Sequence, residues 1–318
     1  EEREFPIGEL RLLASSRSAG KQIEFKGDTL TVEELSAISF GGMDIVLASA
    51  GGSLSREFAP HAVSAGAVVV DNTSAFRMDP EVPLVIPEIN AADLESHRGI
   101  IANPNCSTII MDVVVWPLHQ RNPVKRLVVS TYQAISGAGA RAMEELEVQT
   151  REVLAGKEAK PVELPQQIAF NLFSHNSKIG PDGYCEEETK MIRETRKIFH
   201  DDGIQVTVTC IRVPVLRAHS EAINLEFERP ISEADVREIL DSASGVSIID
   251  DREGNYFPMP IEASGVDDVL TGRIRQDVSR PDGRGIDLWV SGDQLRKGAA
   301  LNAVQIAEVV VNKGWLKK

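Results

Sequence analysis

A lone cysteine stands where a thiol could act as a nucleophile. Residues 103–108 read NPNCST and are followed by the apolar residues 109–116, a pattern that predicts a helix beginning near Cys106. In the first turn of a helix, unpaired amides and the helix dipole favour the thiolate over the thiol, whose ordinary pKa is about 8.5. Taken by itself, the segment fits a buried, inert cysteine better, because free cysteines are among the most buried residues.

An arginine and a histidine on either side of a proline bend could act with that thiol. Alternation along residues 204–213 places Arg212 on the same strand face as apolar side chains, where a guanidinium needs a planar anionic partner such as a carboxylate. Pro214 interrupts the strand, and residues 219–228 return with His219 near the start of the next one. Together these residues predict a Cys/His pair with a carboxylate clamp.

Two segments of the first half could bind a nucleotide. Ser16, Arg17 and Ser18 follow the strand-like residues 10–15, and an arginine there suits the extra phosphate of NADP. A glycine turn at residues 49–53 follows another apolar strand and would let backbone amides approach a phosphate. A solvated surface arginine and a plain strand-to-helix turn remain the alternatives for these two segments.

The glycines of residues 136–139, SGAG, suggest a different role. Gly137, Gly139 and Ala142 match G-x-G-x-x-A, but no second strand with an acidic residue follows at the expected distance. The segment is therefore interpreted as a glycine nest for an anion or for the amide end of a cofactor, or as a simple helix start capped by Ser136. The strand and glycine-rich turn that usually hold a pyrophosphate are not found, so we expect a truncated N-terminus and weak or absent NADP binding.

The elements that position these residues change in character near Cys106. Before it, short β-branched runs alternate with helical patterns such as 54–65, which predicts an α/β unit with a parallel sheet. After it, longer alternating strands predict a mainly antiparallel sheet. The predicted strands are residues 10–15, 44–50, 67–72, 83–88, 99–103, 125–133, 204–213, 219–228 and 286–293. The other predicted helices are 141–155 and 298–313, and the predicted loop-rich segments are 156–184 and 250–285.

Composition argues against several classes of protein. A net charge of -14 disfavours a nucleic-acid partner, and the apolar runs are shorter than the ~20 residues of a membrane span. Cys106, Cys185 and Cys210 are odd in number and widely spaced, which indicates neither a disulfide framework nor a metal site. With no signal or transit pattern at the N-terminus, we expect a reducing compartment, either the cytoplasm or a plastid stroma.

Over nearly its whole length the chain resembles the aspartate-semialdehyde dehydrogenase family. The resemblance rests on SRSAGK, DNTSAFRMDPEVPLVIPEIN, NPNCSTI, STYQAISGAGARAMEEL, CIRVPVLRAHSEAIN and RKGAALNAVQIAE. It implies NADPH-dependent reductive dephosphorylation of L-4-aspartyl phosphate to L-aspartate 4-semialdehyde through a thioester at Cys106. This reaction lies in the pathway to diaminopimelate and lysine, threonine, methionine and isoleucine. Two alternatives remain: a non-catalytic relative that serves as an assembly or binding partner, or the same chemistry on another acyl phosphate such as N-acetyl-glutamyl phosphate.

The resemblance also implies roles for individual residues. Cys106 would be the nucleophile, His219 the general acid/base and Gln133 the residue that orients the acyl group. Arg212 would clamp the substrate carboxylate and Glu187 would reach its amino group. The implied phosphate-binding residues are Arg77, Asn105 and Lys190. Read without the resemblance, Arg77 could cap a turn, and Glu187 with Lys190 could be an ordinary surface pair.

The implied cofactor is NADP. Its implied contacts are Ser16, Arg17 and Ser18 at the 2′-phosphate, Ser49 and Gly51 at the ribose and diphosphate, and Ser136, Gly137 and Asn302 at the nicotinamide. A Rossmann-like domain of residues 1–106, lacking its first strand and glycine turn, would be completed by the C-terminal helix 298–318. Residues 107–297 would form an α+β catalytic and dimerisation domain, as in glyceraldehyde-3-phosphate dehydrogenase-like folds. The implied assembly is a homodimer or homotetramer.

Overall fold

The computed structural model describes residues 1–316, which divide into two compact units. The first unit contains Glu1–Val85, Ala92–Asn103 and the chain from Ala303 onward, and the second contains Ile86–Ala91 and Pro104–Asn302. The domain boundaries predicted from the sequence were residues 106 and 298. The second unit takes Cys106 because the helix that this residue begins is buried there. The last two residues of the predicted segment 298–318 lie outside the described residues.

Two three-stranded sheets form the first unit. The strands are β1 (Leu12–Ala14), β2 (Gln22–Phe25), β3 (Asp28–Glu34), β4 (Ile45–Ala48), β5 (Val68–Asp71) and β6 (Ile100–Ala102). Strand β1 pairs in parallel with β3, and β2 and β3 form an antiparallel hairpin. Lys26 and Gly27 at its tip both have positive φ, as a two-residue type I′ turn requires. Strands β4, β5 and β6 form the parallel sheet, in that order.

Helices cover both faces of that parallel sheet. Helix α1 (Gly52–Ser64) contributes Ala59 and Ala62 to a core cluster that includes Val69 of β5. The neighbouring residues Val68 and Val70 point to the other face and pack with Ala303, Ile306 and Val310 from the C-terminal helix. All four residues of β5 are buried, as in a parallel strand covered on both sides. The predicted parallel sheet with helices on its faces is therefore confirmed for this unit.

One seven-stranded sheet organises the second unit. Its strands, in spatial order, are β11 (Val246–Ile248), β12 (Val269–Gln276), β13 (Gly285–Gly292), β10 (His219–Phe227), β7 (Val124–Gln133), β9 (Gln205–Arg212) and β8 (Phe173–Ser174). Four of the six pairings are antiparallel, which confirms the mainly antiparallel sheet predicted from the alternation.

Among residues 1–316, none of the helices combines the length and the apolar character that a membrane span requires.

The remaining helices include one that is buried on nearly all sides. They are α2 (Pro87–Asn90), α3 (Cys106–Arg121), α4 (Ala140–Leu154), α5 (Glu186–Phe199), α6 (Glu233–Asp241), α7 (Pro260–Ala263) and α8 (Leu301–Asn312), with short 3₁₀ turns at Ala91–Ser96 and Ile135–Ala138 and a π-helical turn at Arg296–Ala300. Apart from Asp112, helix α3 is apolar on all sides from Ile109 to Leu118, and it packs between the sheet, α5 and α6. Such a helix is expected inside a protein rather than on its surface.

Several segments differ from the sequence prediction, among them the following three. Residues 83–88 were predicted as a strand, but Leu84 makes only a single bridge to Ala102, and Pro87 begins α2. A proline lacks the amide that a strand ladder needs, and its fixed φ suits the first turn of a helix. The hairpin of β2 and β3 was not predicted. Strand β12 lies in the segment 250–285, which was predicted to be loop-rich.

A pair of buried carboxyl groups lies between α3 and the sheet. Glu221 of β10 is fully buried, and neither of its carboxyl oxygens is hydrogen-bonded within residues 1–316. Burial, together with the nearby Asp112 carboxyl group, raises the pKa of Glu221 well above its ordinary value. Burial also raises the pKa of Asp112, although Thr195 Oγ1 donates a hydrogen bond to Asp112 Oδ1 (3.0 Å). Burial therefore favours the neutral form of both side chains.

We expect Glu221→Gln to gain stability relative to wild type as the pH rises from 5 to 8. A raised folded-state pKa means that the stability contributed by Glu221 is fully present below the unfolded pKa and declines as the pH rises toward the folded value. Glutamine does not titrate, so the stability difference should move in favour of the variant by at least about 1 kcal/mol between these pH values. Urea unfolding followed by circular dichroism at both pH values measures the difference.

The exposed Glu253→Gln variant is the control for losing one carboxylate from the chain. An unfolding free-energy difference between wild type and Glu221→Gln that is the same at pH 5 and pH 8 would contradict the assignment of a neutral, buried Glu221.

Candidate active site

The thiol of Cys106 stands at the first residue of α3, as the sequence predicted. Asn105 caps this helix: its Oδ1 accepts hydrogen bonds from the N–H groups of Ser107 (3.0 Å) and Thr108 (3.3 Å). Cys106 is partly exposed, whereas Cys185 and Cys210 are buried. The positive end of the helix dipole thus lies at a thiol that a small molecule can reach, and it stabilises a thiolate there.

Asn105 also ties the start of α3 to α5. Its Nδ2 donates to Glu187 Oε1 (2.7 Å), and its backbone N–H donates to Glu194 Oε2 (2.6 Å). Glu187 and Glu194 are themselves buried. Asn105 is therefore held by hydrogen bonds of its backbone N–H, its Nδ2 and its Oδ1, which limits the positions that the next residue, Cys106, can adopt.

His219 faces the thiol. Its Nε2 lies 3.6 Å from Cys106 Sγ, and its Nδ1 accepts a hydrogen bond from the N–H of Ala134 (3.0 Å). Because Nδ1 is the acceptor, the proton of the neutral imidazole resides on Nε2 and points toward the sulfur. Burial and the charge of Arg212 lower the pKa of His219 to about 3. At neutral pH His219 is consequently an uncharged hydrogen-bond donor.

The register of the sheet places His219, Gln133 and Arg212 in one row. Gln133 is paired with Arg212 across β7 and β9, while Ser220 is paired with Tyr132 across β10 and β7. The pairing of Ser220 puts the preceding residue, His219, beside Gln133. Side chains of paired residues lie on one face, so all three project toward the layer that contains α3.

The amide of Gln133 and the guanidinium of Arg212 are only partly engaged by the protein. Gln133 Nε2 donates to Ser107 Oγ (2.6 Å), whereas its Oε1 accepts no hydrogen bond from the described residues. Arg212 Nη1 donates to the carbonyl of Ala134 (3.2 Å), and its Nη2 donates to no group of residues 1–316. Both side chains are nearly fully buried. Each therefore retains a polar atom for a bound ligand.

Gly137 lies against two of these side chains. A Cβ at this position would be 3.4 Å from both Arg212 Nη1 and His219 Nε2, tighter than most contacts made by real Cβ atoms. The glycine thus lets the backbone run close over the row. Its neighbour Ser136 accepts a hydrogen bond from Gln294 Nε2.

Glu187 and Lys190 form an ion pair that is not an ordinary surface pair. Lys190 Nζ lies 3.1 Å from Glu187 Oε2, and the Glu187 side chain is only 8% exposed. Burial alone would raise the pKa of Glu187, but the charges of Lys190 and His175 and the hydrogen bond from Asn105 outweigh it and lower the pKa to about 2. The site therefore contains a carboxylate that is ionised at neutral pH, next to the cations Lys190 and Arg212.

The π-helical turn supplies two further neighbours of the site. A Cβ on Gly298 would lie 3.0 Å from Cys106 Cβ, so the absence of a side chain lets this turn pack against the thiol-bearing residue. Fully buried Lys297 donates to Asn302 Oδ1 (2.9 Å) and to Glu88 Oε2 (2.6 Å). Asn302, predicted to lie near the nicotinamide, is thereby oriented by Lys297.

The other predicted ligand-binding residues lie in the first unit. Buried Arg77 donates from Nε to the carbonyl of Asn103 and from Nη2 to that of Asn72, both at 2.9 Å. Ser16 and Arg17 are exposed in the turn after β1, and Ser18 is half-buried. Ser49 and Gly51 are exposed between β4 and α1. Their predicted contacts with cofactor and phosphate remain predictions.

The turn before α1 has the conformation expected of a phosphate-binding loop. Gly51 has φ of +105°, which a residue with a side chain adopts only with strain. None of the described side chains caps the first turn of α1, and that turn contains no acidic residue. Exposed amides at a helix N-terminus that follows a parallel strand suit an anionic diphosphate.

Three residues that lie near the thiol or near the charged groups around it were not predicted from the sequence. Gly298 lies in one of the segments that carry the resemblance, but no pattern there indicated its close approach to Cys106. Ser107 accepts a hydrogen bond from Gln133. His175 lies in the predicted loop 156–184. His175 is buried, and burial and Arg212 lower its pKa to about 4. A single histidine in a predicted loop carries no pattern that would identify it.

Comparisons with known proteins show the family to which the chain belongs. Family models for "Semialdehyde dehydrogenase, NAD binding domain" and "Semialdehyde dehydrogenase, dimerisation domain" match residues 1–97 and 115–297. The aspartate-semialdehyde dehydrogenase of Synechocystis sp. is 59% identical over 314 residues, covering 99% of this chain and 92% of the relative. That of Aquifex aeolicus is 53% identical over 321 residues, covering 99% and 94%.

A solved structure resembles the whole described fold. The crystal structure of aspartate semialdehyde dehydrogenase II from Vibrio cholerae matches with a TM-score of 0.94 and 45% sequence identity, covering 98% of this chain and 92% of the other. That protein has also been solved complexed with ASA. With both family domains matched and relatives this similar over nearly all of its length, the chain belongs to the aspartate-semialdehyde dehydrogenase family.

Proposed function

We propose that the chain is an aspartate-semialdehyde dehydrogenase that reduces L-4-aspartyl phosphate to L-aspartate 4-semialdehyde with NADPH and releases phosphate. The observation that carries the proposal is the thiol of Cys106 at a helix N-terminus, 3.6 Å from His219 Nε2 and in the same site as Arg212. The names of the similar proteins support the same activity. A scaffold protein would have no need for this combination of residues.

Covalent catalysis begins at Cys106. In the biosynthetic direction the thiolate adds to the acyl phosphate, and loss of phosphate leaves a thioester; in the reverse direction it adds to the aldehyde and forms an alkoxide. When bound, the nicotinamide cofactor exchanges a hydride with the carbon attached to sulfur. The thioester conserves the energy of the acyl phosphate between these two steps.

His219 is placed to stabilise the oxyanion that forms in each direction. Its Nε2–H points toward the sulfur, and therefore toward a carbonyl carbon bound to that sulfur. A neutral imidazole can donate a hydrogen bond to an alkoxide without giving up its proton, and collapse of the alkoxide with loss of hydride needs no further proton transfer. The tautomer thus favours an oxyanion-binding role over the general acid/base role that the resemblance implied.

Substrate recognition is assigned to the charged groups around the thiol. Arg212 Nη2, which donates to no group of the described residues, is assigned to the α-carboxylate, and the buried carboxylate of Glu187 suits the α-ammonium. An N-acetylated substrate lacks that ammonium charge, so Glu187 argues for the aspartyl compound over N-acetyl-glutamyl phosphate. Asn105, Lys190 and Arg77 are assigned to phosphate, which needs cationic and amide donors in a chain that is acidic overall.

NADP is the proposed cofactor. Arg17 is exposed after the first strand and can pair with a 2′-phosphate, with Ser16 and Ser18 as hydroxyl donors. Ser49 and Gly51 are assigned to the ribose and diphosphate, and Ser136, Gly137 and Asn302 to the nicotinamide. Residues 1–106 with the C-terminal helix would form the cofactor-binding domain, and 107–297 the catalytic and dimerisation domain. A homodimer or homotetramer and a cytoplasmic location complete the proposal.

The activity is tested by supplying phosphate, NADP⁺ and L-aspartate semialdehyde and following NADPH absorbance, with N-acetyl-glutamate semialdehyde in parallel. We expect turnover of the aspartate compound, and a loss of at least about 10³-fold in Cys106→Ser because the nucleophile is removed. Cys210→Ala is the control, since burial raises the pKa of Cys210 and keeps it a thiol. Turnover of only the N-acetylated compound would reassign the substrate, and turnover of neither by folded protein that binds NADP⁺ would favour the non-catalytic relative.

Variants of His219 separate its two candidate roles. His219→Ala should lower kcat by roughly 10²–10³-fold because an oxyanion donor is lost. His219→Gln retains an N–H near the position of Nε2 and should keep clearly more activity, although glutamine cannot act as an acid or base. Since the pKa of His219 is lowered to about 3, wild-type kcat should show no titration of this group between pH 5 and 8. Equal inactivity of both variants would contradict the oxyanion role.

Arg17 should determine the preference for NADP over NAD. We expect Arg17→Ala to raise KM for NADP⁺ about tenfold or more through loss of a charge-assisted contact, and to leave KM for NAD⁺ unchanged. Arg11→Ala is a suitable control because Arg11, just before β1, is held by Glu9 at 2.6 Å. Steady-state kinetics with each cofactor gives the ratio, and a parallel rise in both KM values would contradict the assignment.

A further inference from the structure

We propose that His175 is a substrate-binding residue whose Nε2–H donates a hydrogen bond to the α-carboxylate clamped by Arg212. This inference rests on the proposed function and adds a specificity-determining residue to the same site. Nothing in the sequence pattern pointed to His175, which lies in a segment predicted to be loop.

The position of His175 follows from the edge of the sheet. Strand β8 pairs with β9 so that Phe173 is opposite Arg212, and the N–H of His175 continues this ladder by donating to the carbonyl of Cys210 (2.9 Å). Opposed residues share a face, so His175 projects on the same face as Arg212 and diagonally adjacent to it. Its side chain is buried among Arg212, Glu187 and Lys190, whose charges all act on its imidazole.

Hydrogen bonds determine which nitrogen of His175 carries the proton. Nδ1 accepts from the N–H of Ser177 (3.2 Å) and lies 3.0 Å from Ser177 Oγ. Ser177 Oγ in turn accepts from the N–H of Glu187 (3.2 Å), which connects the ring to the start of α5. An accepting Nδ1 leaves the proton on Nε2 in the neutral ring. Among the described residues, no group is hydrogen-bonded to Nε2.

A carboxylate is the ligand that fits this donor best. Nε2–H needs an acceptor, and the Nη2 of neighbouring Arg212, which has no acceptor among residues 1–316, favours an anionic one. Two donors on adjacent strands can bind one carboxylate, an oxygen each. The ammonium of the substrate cannot accept a hydrogen bond, which directs it to Glu187. Phosphate is the competing anion because Lys190 is also near, so the experiment must distinguish the two.

Two substitutions of His175 separate donation from packing. Asparagine can place Oδ1 near the position of Nδ1 and keep the hydrogen bond from Ser177, but it has no N–H near the position of Nε2. Glutamine can place an N–H there. We expect His175→Asn to raise KM for L-aspartate semialdehyde about tenfold, the effect of one hydrogen bond to a charged group, with kcat and KM for phosphate nearly unchanged. His175→Gln should be close to wild type.

The alternative results contradict the inference in distinct ways. A rise in KM for phosphate instead of the semialdehyde would assign His175 to the phosphate site, and equal rises in KM for the semialdehyde in both variants would indicate packing alone. Wild-type protein with no turnover of L-aspartate semialdehyde would overturn the proposed function itself, and this inference with it. Should the asparagine variant not fold, ¹⁵N chemical shifts of the wild-type His175 ring report the tautomer, and a proton on Nδ1 would refute the proposal.

Discussion

The capping of α3 by Asn105 is the interaction on which the site depends. One side chain satisfies two amides of the first turn through Oδ1 and ties that turn to α5 through Nδ2. The next residue is Cys106, so the cap sets both the electrostatic environment of the thiol and its distance from His219. The mainly apolar surface of α3 then buries the helix and keeps its N-terminus in place. The proposed covalent chemistry at Cys106 therefore depends on how this helix begins.

The second sheet completes the site through its register. One row across the strands carries Gln133, Arg212 and His219, while the next row inward carries buried Glu221 and Thr131, which are paired with each other. Polar groups in the outer row retain atoms for a ligand. Burial raises the pKa of Glu221 in the inner row and so favours its uncharged form beneath the site. A change of register by one residue would turn the entire row to the opposite face.

Much of this arrangement could be predicted from the sequence, and the exceptions have physical reasons. Long alternating strands such as β7, β9 and β10 were located within one residue, because periodicity over eight or more residues is a strong signal. The predicted strand at 83–88 failed because Pro87 decides the local conformation. His175 was missed because its role depends on a two-residue edge strand and on long-range contacts with Arg212 and α5. The roles of residues in the first unit still rest on the resemblance.

The central claim is that Cys106 becomes acylated, and mass spectrometry of the protein tests it most directly. Incubation with NADP⁺ and L-aspartate semialdehyde in phosphate-free buffer withholds the anion that cleaves the thioester, so the acyl-enzyme should accumulate. We predict that the peptide containing Cys106 gains the mass of an aspartyl group, that peptides with Cys185 and Cys210 do not, and that added phosphate removes the modification. NADPH formation with an unmodified Cys106 under the same conditions would contradict the account.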